Sequence, residues 1–298
     1  MTGTRIMLDF KDFPAAVVGA DLLRLEEAGP DHFRSLYNQP NQVGTMFGGQ
    51  MLAQGLAAAH RTVQGWSPHS LSAYFHRAGT MDQPLEFKVE RVRDGSRFAA
   101  RRVVASQGGR TLLDMLCSFQ AQSDGIDHQF ATLGAVPKPE DLVTEQEFLA
   151  AHPDILPADI AALYALPFPV EIKPVAPEQR FSGKLDSPFL ESWIRYGAVG
   201  DVAEAAQHAM LIAFLSDFRL AQAVSAHHVN PSGTNEMLIT SLAHNIVFHH
   251  AARADEWLFH RMESPWAGGG RGLARGQLFD QRHRLIASTV QEVLVRSR

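Results

Sequence analysis

The chain has 298 residues, of which 45% are hydrophobic and 20% charged; this excludes a disordered chain and leaves room for two domains that each bury a core. Its net charge of −5 argues against a general nucleic-acid binder, and no apolar run approaches the roughly 20 residues that span a bilayer, so membrane insertion is not expected. The single Cys117 excludes an internal disulfide and, in an apolar strand-like run, reads as a packing residue. The N-terminus lacks the apolar run of a signal peptide and the C-terminal VRSR is not a peroxisomal address, so the expectation is a cytoplasmic protein.

In chain order, the first strong element starts at Gly48. In GGQMLAQGLAAAHRTV, Met51, Leu52, Gly55, Leu56 and Ala59 recur at helical spacing. Small and apolar residues cover the whole surface, which predicts a buried helix. Four strands are predicted after it, over 69–77, 85–93, 97–106 and 111–122. Asp94-Gly95 punctuates the second and third as a tight hairpin, and Gly108-Gly109 the third and fourth. Residues 131–180 carry 8 of the 16 prolines, so they read as a linker with short helices such as 140–151. A long helix is predicted over 202–226, with Leu211, Phe214, Leu215 and Phe218 on one face. Strands follow at about 238–249, 256–263, 271–279 and 284–295, the last two joined by Asp280-Gln281-Arg282-His283.

The second series repeats the first. Phe75-His76 returns as Phe248-His249, 173 positions on, and Gln120 is matched with Gln291, 171 positions on. Duplication of a helix followed by antiparallel strands predicts an α+β fold of double hot-dog type, two tandem units each with a sheet wrapped around a long helix. The expected division is an N-terminal unit over 1–130, a Pro-rich linker over 131–180 and a C-terminal unit over 181–298. The two sheets are expected to join edge to edge with the linker outside them.

No GxSxG, P-loop, HExxH or CxxC is present, which removes a nucleophile elbow, a phosphate cradle and the common metal motifs. The Gly-rich run 267–272 reads as a turn between strands. The pairs His227-His228 and His249-His250 would point to opposite faces of a strand, so neither supplies two ligands to one metal; no metal site is expected. Asp217 is the sharper candidate. Ala213, Phe214, Leu220 and Ala221 surround it at helical spacing, and a carboxylate on an apolar face is either a cap at a helix break or functional. Ser241 and Gln291 are polar residues within mostly apolar strands, each alone an ordinary satisfied polar group. Together, a helix carboxylate, a strand hydroxyl and a strand amide can hold a water by three hydrogen bonds while the carboxylate takes its proton.

The segments FGGQMLAQGLAAA, HSLSAYFHRAG, VRDGSRFAARRVVASQ, SFQ, DHQF, SWIR, LSDF, AHNIVFHH, ESPWAGGGRGLARGQLFD and IASTVQEVLVR, in this order, resemble the acyl-CoA thioesterase II family. That resemblance implies hydrolysis of fatty acyl-CoA to free acid and CoA without a cofactor. It implies a site made of an Asp on the second helix, a Ser or Thr on the next strand and a Gln on the last strand, which fall on Asp217, Ser241 and Gln291. Gln120 would be the counterpart of Gln291, with Gly49 or Gln50 where the helix Asp should be, so the first unit is expected to be non-catalytic. The family pattern also has an acidic residue before the strand His, where this chain has Ala243. Gly48 and Gly49, at a helix start, are candidate oxyanion donors. The alternative is a non-catalytic acyl-CoA binding or regulatory protein on the same fold. A CoA-ester hydratase is disfavoured because no His lies within four residues of Asp217. Sheet edges and apolar strands predict a homodimer or larger even oligomer.

Overall fold

The computed structural model describes residues 15–41, 44–183, 185–228 and 237–297; the stretch read for a targeting signal and the side chain of His227 lie outside them. Twelve strands form one continuous antiparallel sheet in the order β1-β2-β4-β5-β6-β3-β9-β12-β11-β10-β8-β7. In the first half these are β1 (Leu25–Gly29), β2 (His32–Ser35), β3 (Ser67–Phe75), β4 (Glu86–Asp94), β5 (Phe98–Gln107) and β6 (Arg110–Gln120). The second half supplies β7 (Val170–Pro174), β8 (Phe189–Tyr196), β9 (Met237–Phe248), β10 (Leu258–Gly268), β11 (Arg271–Phe279) and β12 (Leu285–Ser297). β3 and β9 join the halves, with Ala73 opposite His244 and Leu71 opposite Ile246. The sheet curls around two neighbouring helices of equal length, α2 (Gly48–His60) and α6 (Ala205–Asp217), and a short α1 (Gly19–Leu23) leads in. This is the double hot-dog arrangement.

The helices are buried because nothing on them is charged before their last residue. In α6, Met210, Leu211, Ile212, Phe214 and Leu215 are all inaccessible or nearly so, and each contributes about 1.5–3 kcal/mol of burial. That supply lets the helix carry one costly polar group at its end. The helix predicted over 202–226 stops at Asp217: Arg219 takes a left-handed backbone (φ 68) and only α7 (Gln222–Ser225) resumes.

Several expectations change in detail. Each half opens with two strands ahead of its helix, β1-β2 and β7-β8, which the expected plan of a helix followed by strands leaves out. The Pro-rich segment does not run wholly outside the sheet, because β7 pairs with β8 as an edge strand ending at Pro174, where proline is tolerated. That segment also holds α3 (Glu145–Ala151), α4 (Ala158–Tyr164) and α5 (Pro177–Ser182). Gly108-Gly109 and Gly269-Gly270 are two-residue turns with positive φ at both positions, as right-handed strand twist requires. Asp94-Gly95 differs: it enters a three-residue loop, closed by the Gly95 N–H donating to Phe98 O at 2.9 Å.

Candidate active site

Asp217 is the last residue of α6 and is 7% exposed. Its Oδ1 accepts a hydrogen bond from Gln291 Nε2 at 2.6 Å, and the Gly49 backbone N–H donates to the same carboxylate. Asp217 therefore caps α2, a helix of the other half whose own cap residue, Phe47, has no side-chain acceptor. The approach requires glycine. A Cβ on Gly48 would lie 2.9 Å from Asp217 Oδ2, and one on Gly49 would lie 2.6 Å from Phe214 O. Burial pushes the Asp217 carboxyl up to about 6, against the opposing pull of the Gln291 and Gly49 donors.

Gln291, fully buried on β12, spends both amide hydrogens: one on Asp217 and one on Ser241 Oγ at 2.8 Å. Its Oε1 has no partner among the described residues. Ser241 reaches this point through a bulge. Gln291 faces His244 and Glu292 faces Ala243, but Val293 faces Ser241, so Leu242 is the extra residue. Without the bulge, Ser241 and His244 would have opposite parity and point to opposite faces. The three predicted residues thus converge from α6, β9 and β12.

Sequence reasoning missed a set of neighbours. His244, fully buried on β9, contacts Ser216 Oγ through Nε2 at 2.9 Å. Ser216 Oγ in turn donates to Ala213 O at 2.8 Å, so Nε2 carries the imidazole proton and Nδ1 presents its lone pair 3.8 Å from Asp217 Oδ1. Burial holds His244 down to about 3; His260 sits at about 3 for the same reason and because His244 is near. Both rings are neutral at working pH. Thr289 Oγ1 and His260 Nε2 flank Gly276, where a Cβ would approach them to 2.4 and 2.8 Å. A polar strip thus backs the carboxylate. The available signal was polar residues at alternate positions of otherwise apolar strands.

The registers also redraw the duplication. Phe75 faces Leu113 as Phe248 faces Ala287, so four residues further along Cys117, not Gln120, corresponds to Gln291. Leu71 likewise corresponds to His244. Matching α2 to α6 end to end puts His60, not Gly49 or Gln50, at the place of Asp217. The first half therefore has an imidazole, a thiol and a leucine where the second has a carboxylate, an amide and an imidazole. Gln120 instead borders a cavity of about 430 Å³ beside Ala205 and His69, which contains none of Asp217, Ser241 and Gln291. Gln50 is a structural residue, donating to Tyr37 O and to Gln54 Oε1, both at 2.9 Å.

Ala243 faces Glu292 and Tyr74, and as the neighbour of His244 its side chain leaves on the opposite face of the sheet from Asp217. Of the adjacent histidines, His249 contacts Ser288 Oγ and His250 contacts Leu285 O, each at 2.9 Å. Among the described residues no three His, Cys, Asp or Glu side chains gather as a metal would require, and no helix is long and apolar enough to cross a membrane.

Residues 139–295 match the family described as acyl-CoA thioesterase C-terminal domain, and residues 38–120 match the acyl-CoA thioesterase N-terminal domain. The chain is 34% identical over 291 residues to human acyl-coenzyme A thioesterase 8, covering 94% of this chain and 89% of that one. It is 33% identical over 278 residues to acyl-CoA thioesterase 2 of Haemophilus influenzae, covering 92% and 96% of the two chains. The fold is similar to the crystal structure of an acyl-CoA thioesterase II from Mycobacterium marinum, with a TM-score of 0.76 at 30% identity over 94% of this chain and 99% of that one.

Proposed function

The chain belongs to the acyl-CoA thioesterase family and is a thioester hydrolase; on that premise we propose that Asp217 is its general base, acting with Ser241 and Gln291 on fatty acyl-CoA. The carrying observation is the Gln291 amide bonded at once to Asp217 and Ser241. With both hydrogens fixed, its unpartnered Oε1 is left as an acceptor for a water hydrogen, and Asp217 is the acceptor for the other. The water oxygen adds to the thioester carbonyl as its proton passes to Asp217. The tetrahedral intermediate then collapses with cleavage of the C–S bond, and the proton returns from Asp217 to the departing CoA thiolate. Oxyanion stabilisation falls to Gly48, because the Gly49 N–H is already committed to Asp217. The neutral His244 lies behind the carboxylate and bonds to Ser216, so the imidazole that sequence distance hid serves the helix end and not a hydration step.

The first unit, which has no carboxylate at the corresponding place, is the non-catalytic copy in this reading. Tyr74, Leu116, Val247 and Val290 are 62, 51, 46 and 39% exposed, and related residues of the two halves make up this set. That supports an even homo-oligomer, and composition supports a cytoplasmic setting. The test is free-thiol release from a long-chain acyl-CoA. Asp217→Asn should lower kcat by about 10²–10⁴-fold, the usual loss of a general base; an Asn variant as fast as the parent removes the base assignment. Binding of acyl-CoA by the parent without any thiol release would favour the non-catalytic binding protein instead.

A further inference from the structure

The turn that ends the catalytic helix is held by residues of the Pro-rich stretch 131–180. Glu145, the first residue of α3, is 1% exposed. Its carboxylate lies 2.8 Å from Arg180 Nη2 on α5 and 3.0 Å from Arg219 Nη2, two residues past Asp217. Arg219 is the left-handed residue that breaks the helix. Its guanidinium stacks 4.6 Å above the Tyr164 ring on α4 and 5.0 Å from Phe218. Arg180 also donates to Gln222 Oε1 at 3.1 Å, on the far side of the same turn. Phe168 packs against Phe218 and Phe47, with centroids 4.8 and 5.4 Å apart. At the matching end of α2, Arg61 lies 3.9 Å from the largely exposed Glu27 and 5.7 Å from the centre of the Phe33 ring.

A buried Arg–Glu–Arg cluster is a poor source of net stability, since desolvation offsets much of the attraction. What it does supply is a fixed geometry. A non-glycine residue prefers to avoid a left-handed backbone, and the turn at Arg219 sets where the Asp217 carboxylate emerges. We propose that Glu145, through Arg219 and Arg180, is a positioning residue for Asp217, so that the Pro-rich stretch 131–180 is part of the active-site machinery. The inference rests on Asp217 being the base. Among the described residues the titratable group beside Asp217 is His244 on β9, with His260 behind it; α2 brings glycine backbone and β12 the neutral Gln291, and the Arg219–Glu145–Arg180 cluster begins two residues further along the chain.

The 298-residue chain carries the test. Arg219→Gly keeps the left-handed backbone and leaves Glu145 paired with Arg180, so the fold is retained while the tie is cut; Arg219→Asn, which also tolerates that backbone, is the second variant. Glu147→Ala, which breaks the Thr144 capping box on the same α3 helix, is the control. Both Arg219 variants should lower kcat about ten-fold or more with little change in KM, because displacing a catalytic group by a fraction of an ångström has effects of this order. Their acid limb of kcat should move to higher pH, since a displaced Asp217 loses the donor bonds that hold its pKa down. Arg219→Lys should recover part of the rate, and Glu147→Ala should lower Tm without moving the limb. Parental kcat and acid limb in a folded Arg219 variant, or a loss of kcat with the limb unmoved, overturns the inference. Full activity in Asp217→Asn removes the reading beneath it; an inactive Asp217→Asn beside a parental Arg219→Gly removes this inference alone.

Discussion

Replacing Asp217 by Asn should stabilise the folded protein while disabling it. The carboxyl titrates near 3.8 in an unfolded chain and at about 6 in the fold. Between those values the folded state holds more protons than the unfolded one, so stability is lost as pH rises through this window. Above it, the buried carboxylate costs about 3 kcal/mol, the equivalent of that displacement. Asn removes the charge and keeps the size, but it faces donors on both sides, Gln291 Nε2 and Gly49 N–H. One of those bonds becomes a donor against a donor, a loss of about 1 kcal/mol. The net expectation at pH 7 is a gain of about 2 kcal/mol, read as a Tm rise of roughly 3 °C for a chain of 298 residues. At pH 4, where the folded parent holds its proton, the gain should vanish. Thermal unfolding of parent and variant at both pH values is the assay. A variant less stable than the parent at pH 7, or a gain equal at the two pH values, would refute the claim that the site stores an unfavourable carboxylate.

The remaining predictions concern single residues and assembly. Gln291→Ala should lower kcat by about 10²-fold or more, having removed the group that links base and hydroxyl, whereas Gln120→Ala should stay within about an order of magnitude of the parent once stability is controlled for; equal losses would contradict a single site. Gly48→Ala puts a methyl 2.9 Å from Asp217 Oδ2, so steady-state kinetics should show a large fall in kcat while circular dichroism reports a folded chain; a parental rate would show that the close approach is dispensable. Light scattering at micromolar concentration should give the mass of a dimer or larger even oligomer, and a monomer would contradict that expectation.

Much of the candidate site was legible because its chemistry stands out against its surroundings. Asp217 is a carboxylate among apolar helix positions, and Ser241 and Gln291 interrupt apolar strands. What could not be read is what hydrogen-bond register decides. Gln120 and Gln291 occupy similar strings, yet the hairpins align Cys117 with Gln291, and only a ladder distinguishes the two matches. The bulge at Leu242 turns Ser241 inward, against the simple alternation of a strand. His244 is remote from Asp217 in sequence and meets it only across the space between β9 and α6. The proline content of 131–180 marked it as a connector, which hid β7 and gave no hint that Glu145 would be buried between two arginines. The helix break after Asp217 stood only as one of two readings of that carboxylate, since Arg219, which takes the left-handed backbone, is an ordinary helix former.

The pH dependence of kcat/KM for acyl-CoA hydrolysis tests the central claim most directly, because it reports the ionisation of the base in the free enzyme. Asp217 must be ionised to take a proton, and its midpoint is about 6. The rate should be level at neutral pH and fall roughly ten-fold for each pH unit below about 6, with the residual activity of Asp217→Asn lacking that limb. A profile that stays flat down to pH 4.5 in the parent, or an unchanged limb in Asp217→Asn, would contradict Asp217 as the general base.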